Sequence, residues 1–137
     1  IPADQIQLEI TETAGDIEKA TLGDVINNFR EFGLEFELDD FGSHYANVSV
    51  FTNIKFNVVK LDRSLINEIP GNEMSLMLVE DIVKICHNFN TICVAEGVET
   101  KQQRDALLKA GCMYGQGYYY SKPLPPWKFE EQYLKQR

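Results

Sequence analysis

The chain has 137 residues, of which 44% are hydrophobic, a length and composition typical of one globular domain with its own core. Its 13 basic and 21 acidic side chains give a net charge of −8, which argues against a DNA-binding protein that relies on charge alone. An anionic substrate would therefore need metal ions at its binding site.

The cysteines indicate a reducing environment. Cys86, Cys93 and Cys112 lack the CxxC spacing of a zinc site, and we expect them to be buried free thiols. A cytoplasmic location follows from this expectation, with a membrane-anchored parent protein left open. No apolar run approaches about 18 residues, the length that spans a bilayer.

The first half of the chain contains three predicted strands. Residues 6–10 form a short β-prone run, and residues 16–33 then carry apolar side chains at helical intervals. Residues 34–38 alternate like a strand before the segment "DDFGSHY". After a short, helical connection, residues 56–62 are predicted to form the third strand.

The second half continues the alternation of helix and strand. A helix is predicted to begin near Asn72, and residues 91–97 form an apolar strand that we expect to be buried on both faces. Residues 113–120 are the fifth candidate strand. The apolar stripe of the helix, which we expect to face the core, consists of Met74, Met77, Leu78, Ile82, Ile85 and Phe89.

The ends of the last two helices carry recognisable signals. Thr100 and Gln103 are predicted to form a capping box, and Gly111 supplies a left-handed stop. Pro126 is compatible with the first turn of a C-terminal helix.

Strands that alternate with helices predict a parallel sheet, because parallel neighbours need a crossover connection. We count five strands and at least four helices, whereas a closed (β/α)₈ barrel has eight of each in about 250 residues. The expected fold is therefore an α/β, incomplete TIM-type barrel with helices covering its outer side.

Polar residues occur at the end of every predicted strand. In a parallel α/β sheet the carboxyl ends of all strands lie on the same side, so side chains far apart in sequence can meet there. The residues in this position are Glu9, Glu12, Asp39, Asp40, Lys60, Asp62, Glu96, Glu99 and Gln116.

Carboxylates brought together in this way would repel one another unless cations lie among them. Hard oxygen ligands select Mg²⁺ or Mn²⁺, and two such ions about 3.5–4 Å apart suit phosphoester hydrolysis. Lys60 would then orient the attacking water or offset charge on the phosphate.

Several of these residues also have a structural explanation. Asp39 and Asp40 could cap a turn, and Glu99 could favour a helix N-terminus. Glu9 and Glu12 could be solvated loop carboxylates. Of the two histidines, His87 is expected at the surface, whereas His44 follows the aspartate pair and either role stays open. Tyr118, Tyr119 and Tyr120 could stack on a base, but core packing is the more common role of aromatic side chains in a strand.

Four segments resemble, in order and spacing, the EAL domains of bacterial cyclic-di-GMP phosphodiesterases. They are "LEITET", "LDDFGSHYANVSVFTNIKFNVVKLDRSLI", "VAEGVET" and "GCMYGQGYYYSKPLP", and together they extend over nearly the whole chain. The resemblance implies a modified TIM barrel that hydrolyses cyclic-di-GMP to linear pGpG by two-metal activation of water, with Mg²⁺ or Mn²⁺.

The resemblance also implies roles for individual residues. Glu9 and Asp39 resemble ligands of the first metal. Asp39 also resembles a ligand that bridges the two metals, and Asp40 resembles a ligand of the second. Lys60 resembles the catalytic lysine that contacts the nucleophilic water, and Glu96 resembles a glutamate near the second metal that has been proposed as the base.

Two further residues match the family at the periphery of the site. Gln116 resembles a substrate-binding glutamine at the edge, and Glu12 resembles a glutamate that anchors the loop carrying the aspartate pair. Ser43 and His44 depart from the family, in which threonine and glycine are usual, and a histidine in place of a required glycine would strain that loop.

In the family, the Glu-Ala-Leu motif and a metal-binding asparagine precede the segment that "LEITET" resembles. We therefore expect residues 1–137 to be the C-terminal part of a single EAL domain, with little activity of its own. Unpaired sheet edges predict a homodimer or association with the missing part of the barrel. Sensor or GGDEF domains often accompany the family.

Two other functions remain open. A non-catalytic cyclic-di-GMP receptor would bind the dinucleotide without cleaving it, although it would not need the complete set of metal ligands. A structural or dimerisation module would show no ligand-dependent thermal shift.

Overall fold

Five strands form one parallel sheet. The computed structural model of the protein describes residues 1–11, 19–43 and 48–135. The strands pair in sequence order, as they do in a TIM barrel, which confirms the predicted α/β fold. They are β1 Gln7–Thr11, β2 Glu35–Phe41, β3 Val58–Leu61, β4 Ile92–Glu96 and β5 Tyr114–Gln116.

Helices connect successive strands on one side of the sheet. A 3₁₀ turn, Ala3–Gln5, precedes β1, and a π-helical turn, Glu130–Leu134, follows the last helix. Within the described residues no helix is both long and apolar enough to cross a membrane. The helices are α1 Lys19–Arg30, α2 Val48–Asn53, α3 Arg63–Asn67, α4 Glu73–Asn88, α5 Lys101–Lys109 and α6 Pro126–Phe129.

The predicted helix ends are confirmed. The side chain of Asn72 accepts hydrogen bonds from the backbone of the first turn of α4, and Thr100 and Gln103 form a reciprocal capping box at α5. Gly111 has a φ of 86°, the left-handed conformation of a helix stop. Helix α3 was not predicted, because its only signal is the short cap in which Asp62 accepts from the backbone N–H of Ser64.

The core lies between the sheet and the helices. All three cysteines are free and buried in it, as predicted. The strands contribute Phe36, Leu38, Phe41, Val59, Leu61, Cys93 and Ala95, and the helices contribute Leu22, Ile26, Val50, Ile66, Val79, Ile82, Val83, Cys86 and Leu107.

The prediction that the apolar stripe of α4 faces the core is wrong. Only Ile82 of that stripe is buried. The face that packs on the core is rotated by about one residue around the helix axis from the predicted stripe. Apolar side chains cover more than half of its circumference, so periodicity alone does not select the buried face. The residues that face the core are Ser75, Val79, Ile82, Val83 and Cys86, whereas Met74, Met77, Leu78, Ile85 and Phe89 are exposed.

No described helix covers the other face of the sheet, here called the open face. Along β4 the side chains alternate between partly exposed and buried, and Ile92 is 44% exposed. The prediction that this strand is buried on both faces is therefore wrong. Strand β5 is also shorter than expected, and Tyr118 and Tyr120 lie exposed beyond its end rather than in the core.

Candidate active site

Lys60 lies at the centre of a cluster of carboxylates on the open face. Its Nζ atom is 2.9 Å from Oε1 of Glu96, 3.0 Å from Oε1 of Glu9 and 3.3 Å from Oδ1 of Asp39. These carboxylates come from β4, β1 and β2, and they converge on β3 because the strands are parallel and in register. The structure therefore brings together three carboxylates that are far apart in sequence.

The carboxylates keep the Lys60 side chain charged. Burial disfavours the ammonium form, since only 13% of the side chain is exposed. The hydrogen bonds to Glu96 and Glu9, together with the charges of Glu96 and Asp39, outweigh burial and raise the pKa of Lys60 above its ordinary value. Lys60 is therefore a hydrogen-bond donor and a fixed positive charge at neutral pH.

A β-bulge directs both aspartates to the same site. Successive side chains of a regular strand point to opposite faces, so Asp40 would ordinarily enter the core. The register with β3 shifts between Leu38 and Phe41, and Asp40 adopts a φ of 57°. Its backbone N–H donates to Oδ1 of Asp39 at 3.0 Å. The bulge thus turns Asp40 out of the core and beside Asp39.

Three carboxylates are placed to share a cation. One oxygen each from Asp39, Asp40 and Glu96 lies within 4.8 Å of the other two, and all three residues are half-buried. No other group of three His, Cys, Asp or Glu residues in the described part of the chain meets this criterion. Carboxylate oxygens without nitrogen or sulfur donors suit a hard ion such as Mg²⁺ or Mn²⁺, so these residues fit the predicted metal.

The other predicted site residues lie at the periphery. Glu9 contacts Lys60 but is 54% exposed and does not belong to the three-carboxylate group. Gln116 pairs with Glu96 in the sheet register and is exposed at the edge of the cluster. Glu12 and His44 lie outside the described residues.

Glu37 is a further carboxylate on the open face, and it was not among the predicted site residues. It lies opposite Glu9 in register and two residues before Asp39. Burial raises its pKa, and the charges of Glu9, Asp39 and Glu96 act in the same direction against the opposing effect of Lys60. Alternation along residues 34–40 was the available signal, because it places Glu37 on the same face as Asp39.

A family model described as "EAL domain" matches residues 1–123. The chain is 32% identical over 126 residues to "Cyclic di-GMP phosphodiesterase NbdA" of Pseudomonas aeruginosa and 34% identical over 125 residues to "Oxygen sensor protein DosP" of Escherichia coli. These alignments cover 92% and 91% of this chain but only 16% of each relative. The chain therefore spans less than a fifth of the length of these relatives.

Solved structures show the same likeness. The EAL domain of Mycobacterium smegmatis DcpA has a TM-score of 0.89 and 30% identity, and the match covers 100% of this chain and 61% of that one. A manganese and cyclic-di-GMP complex of Klebsiella pneumoniae BlrP1 has a TM-score of 0.84 and 29% identity, with coverage of 90% and 31%.

Proposed function

Because this chain belongs to the EAL domain family, we propose that it supplies the metal-binding part of a phosphodiesterase that hydrolyses cyclic-di-GMP to linear pGpG. One observation carries the proposal: Asp39, Asp40 and Glu96 share a potential cation site beside Lys60 at the carboxyl ends of the strands. The similar proteins support it, since NbdA is named a cyclic-di-GMP phosphodiesterase and BlrP1 was solved with manganese and the dinucleotide.

Asp39, Asp40 and Glu96 would hold the cations, with Glu9 as a further ligand within reach of Lys60. Mg²⁺ or Mn²⁺ bound there would activate water and offset negative charge on the phosphodiester. In this proposal Asp39 would be a ligand shared by the two ions, as the resemblance to EAL domains implies, and it would stay in contact with Lys60.

Lys60 would act as a donor rather than as a base. Its raised pKa keeps the ammonium protonated, so Nζ can hydrogen-bond to the attacking water or to a phosphate oxygen. Glu96 accepts a hydrogen bond from Lys60 through Oε1, and its carboxylate would also serve as a metal ligand or as the acceptor of a proton. Gln116, one strand further along, would contact the substrate from the edge of the site.

Conversion of cyclic-di-GMP by the full-length natural protein tests this function. We expect pGpG to form in the presence of Mn²⁺ and D39N/D40N to abolish its formation. Cyclic-di-GMP binding without turnover in the full-length protein would support the receptor function instead. Absence of both binding and turnover would support the structural or dimerisation module.

We further propose that residues 1–137 form the C-terminal part of an EAL domain with little activity in isolation, and that the protein is cytoplasmic. The match covers 61% of the DcpA EAL domain, which supports the proposal that this chain is part of such a domain. The three buried free thiols support the cytoplasmic location. A homodimer or a complex with the rest of the barrel would cover the open face. Sensor or GGDEF domains are proposed as neighbours, and one relative is named an oxygen sensor.

A further inference from the structure

Arg63 covers the residue that follows Glu96. Gly97 has a φ of 71°, the left-handed conformation, and turns the chain out of β4. A Cβ atom added to Gly97 would lie 2.4 Å from Cγ and 2.8 Å from Cβ of Arg63. The aliphatic part of the Arg63 side chain therefore packs directly on the Gly97 backbone.

The guanidinium of the same side chain continues to Glu99. Its Nη2 atom lies 2.7 Å from Oε1 of Glu99, so Arg63 spans the turn from Gly97 to Glu99. Arg63 is the first residue of α3 and follows β3, the strand that carries Lys60. One side chain thus joins the elements that hold Lys60 and Glu96, the two partners of the 2.9 Å contact.

The rest of this turn is fixed by hydrogen bonds to other elements. The backbone N–H of Val98 donates to the carbonyl of Gln116 at 3.0 Å, and the N–H groups of Glu99 and Thr100 donate to Oε1 of Gln103. The amide of Gln103, which is buried, donates in turn to the carbonyl of Ile66 in α3. The far end of the turn is therefore anchored to α5, β5 and α3, and the Arg63 side chain packs on its near end at Gly97, directly beside Glu96.

We propose that Arg63 is a positioning residue for Glu96. Its stem fills the space above Gly97 and its guanidinium holds Glu99, which fixes the direction in which β4 delivers the Glu96 carboxylate to the cation site. The inference rests on the proposed function, because it assumes that Glu96 binds metal. Arg63 itself needs no contact with the metal or the substrate.

Electrostatics and positioning predict opposite effects on metal affinity. Removing the positive charge of Arg63 would by itself strengthen the binding of a cation nearby. Loss of positioning would weaken binding, and changes in residues that orient metal ligands typically cost about 10–100-fold in affinity. The sign of the change therefore separates the two effects.

Titration of the protein with Mn²⁺ by calorimetry tests the inference. We expect R63A to weaken Mn²⁺ binding about 10-fold, and R63M, which keeps the stem over Gly97, to weaken it less. The exchanged pair R63E/E99R restores the ion pair and should bind Mn²⁺ more tightly than R63E alone, although the second substitution adds positive charge. R30M is the charge-matched control, since Arg30 lies on α1 at the amino end of β2, and its Mn²⁺ affinity should match that of the unmodified protein.

Two outcomes overturn the inference. One is unchanged or tighter Mn²⁺ binding in folded R63A. The other is a lower melting temperature in both Arg63 variants with normal affinity, which would mark a purely structural role. D39N/D40N separates this failure from that of the proposed function: if the aspartate variant still binds Mn²⁺ normally, the metal site itself is wrong, whatever Arg63 does.

Discussion

The ammonium of Lys60 lies 2.9 Å from Oε1 of Glu96, across the pairing of β3 with β4. The same ammonium contacts Glu9 and Asp39, so it serves as a counter-ion for three carboxylates at once. A lysine in this position offsets the repulsion between neighbouring carboxylates when no metal is bound. Lys60 and a divalent cation therefore contribute to stability in related ways.

Replacing Lys60 by methionine should destabilise the protein most when metal is absent. K60M leaves three carboxylates without their common cation, and we expect the free energy of unfolding to fall by about 2 kcal/mol in EDTA. Mn²⁺ should recover more stability in K60M than it adds to the unmodified protein, because it neutralises the same carboxylates. Urea denaturation with and without Mn²⁺ measures both quantities.

Lys55→Met is the matched control for this experiment. Lys55 is exposed near the amino end of β3, so its replacement removes one positive charge away from the carboxylates. We expect a change within about 0.5 kcal/mol. Equal losses for K60M with and without Mn²⁺ would contradict the shared role of lysine and metal.

The β-bulge at Asp40 can be tested by comparing glycine with alanine. Both D40G and D40A remove the carboxylate, but only glycine adopts a φ of 57° without a steric penalty. We expect D40G to be more stable than D40A by about 1 kcal/mol, and both to lose Mn²⁺ affinity. Thermal unfolding and calorimetry measure the two effects. Equal stability of the two variants would mean that Asp40 does not hold this backbone conformation.

The sequence predicted where the site lies but not how Asp40 reaches it. Glu9, Asp39 and Glu96 could be placed together because parallel strands end on the same side of the sheet. The bulge could not be predicted, since nothing in "LDDFG" signals a shift of register against β3. In α4 the buried face depends on where the sheet lies, which the local pattern of Met74 and Val79 does not encode.

Glu37 should make stability depend on pH. Burial and the charges around it raise its pKa in the folded protein, so the folded state holds the proton more tightly than the unfolded state. The contribution of Glu37 to stability is therefore present at low pH and lost as the pH rises from about 4.3, its ordinary unfolded value, through the folded pKa. The neighbouring charges are Glu9 on β1, Asp39 on β2, Lys60 on β3 and Glu96 on β4.

Glu37→Gln should remove this dependence. We expect E37Q to be more stable than the unmodified protein at about pH 7, by roughly 0.2–1 kcal/mol, and the difference to shrink towards about pH 4. Urea denaturation in EDTA across this range measures it, with metal excluded because cations would screen the carboxylates. A difference that stays constant with pH would show that Glu37 titrates alike in both states.

Two glycines provide a matched pair for the contact between β5 and the segment after β4. A Cβ added at Gly117 would lie 2.2 Å from the carbonyl oxygen and 2.4 Å from the nitrogen of Val98, whereas one at Gly23 in α1 meets nothing within 4 Å. We expect G117A to cost about 3 kcal/mol, because the clash is with backbone, and G23A to stabilise α1 by about 0.5–1 kcal/mol. Chemical denaturation measures both, and a small effect of G117A would contradict the close approach.

The open face of the sheet should drive self-association of the isolated chain. Ile92 and Tyr114 lie on this face and are 44% and 58% exposed, and among the described strands β1 and β5 each pair on one side only. Exposed apolar side chains beside unpaired strand edges favour pairing with another copy. We therefore expect the average mass from light scattering to rise with protein concentration.

Lysine substitutions locate the surface responsible for this association. I92K places a charge on the open face and should shift the protein towards the monomer, because association would bury that charge without a partner. M74K makes the same change in charge on α4, where Met74 is 80% exposed on the helical side, and should leave association unchanged. The open face is excluded as the interface if the unmodified chain stays monomeric at every concentration. It is also excluded if I92K and M74K change the average mass equally.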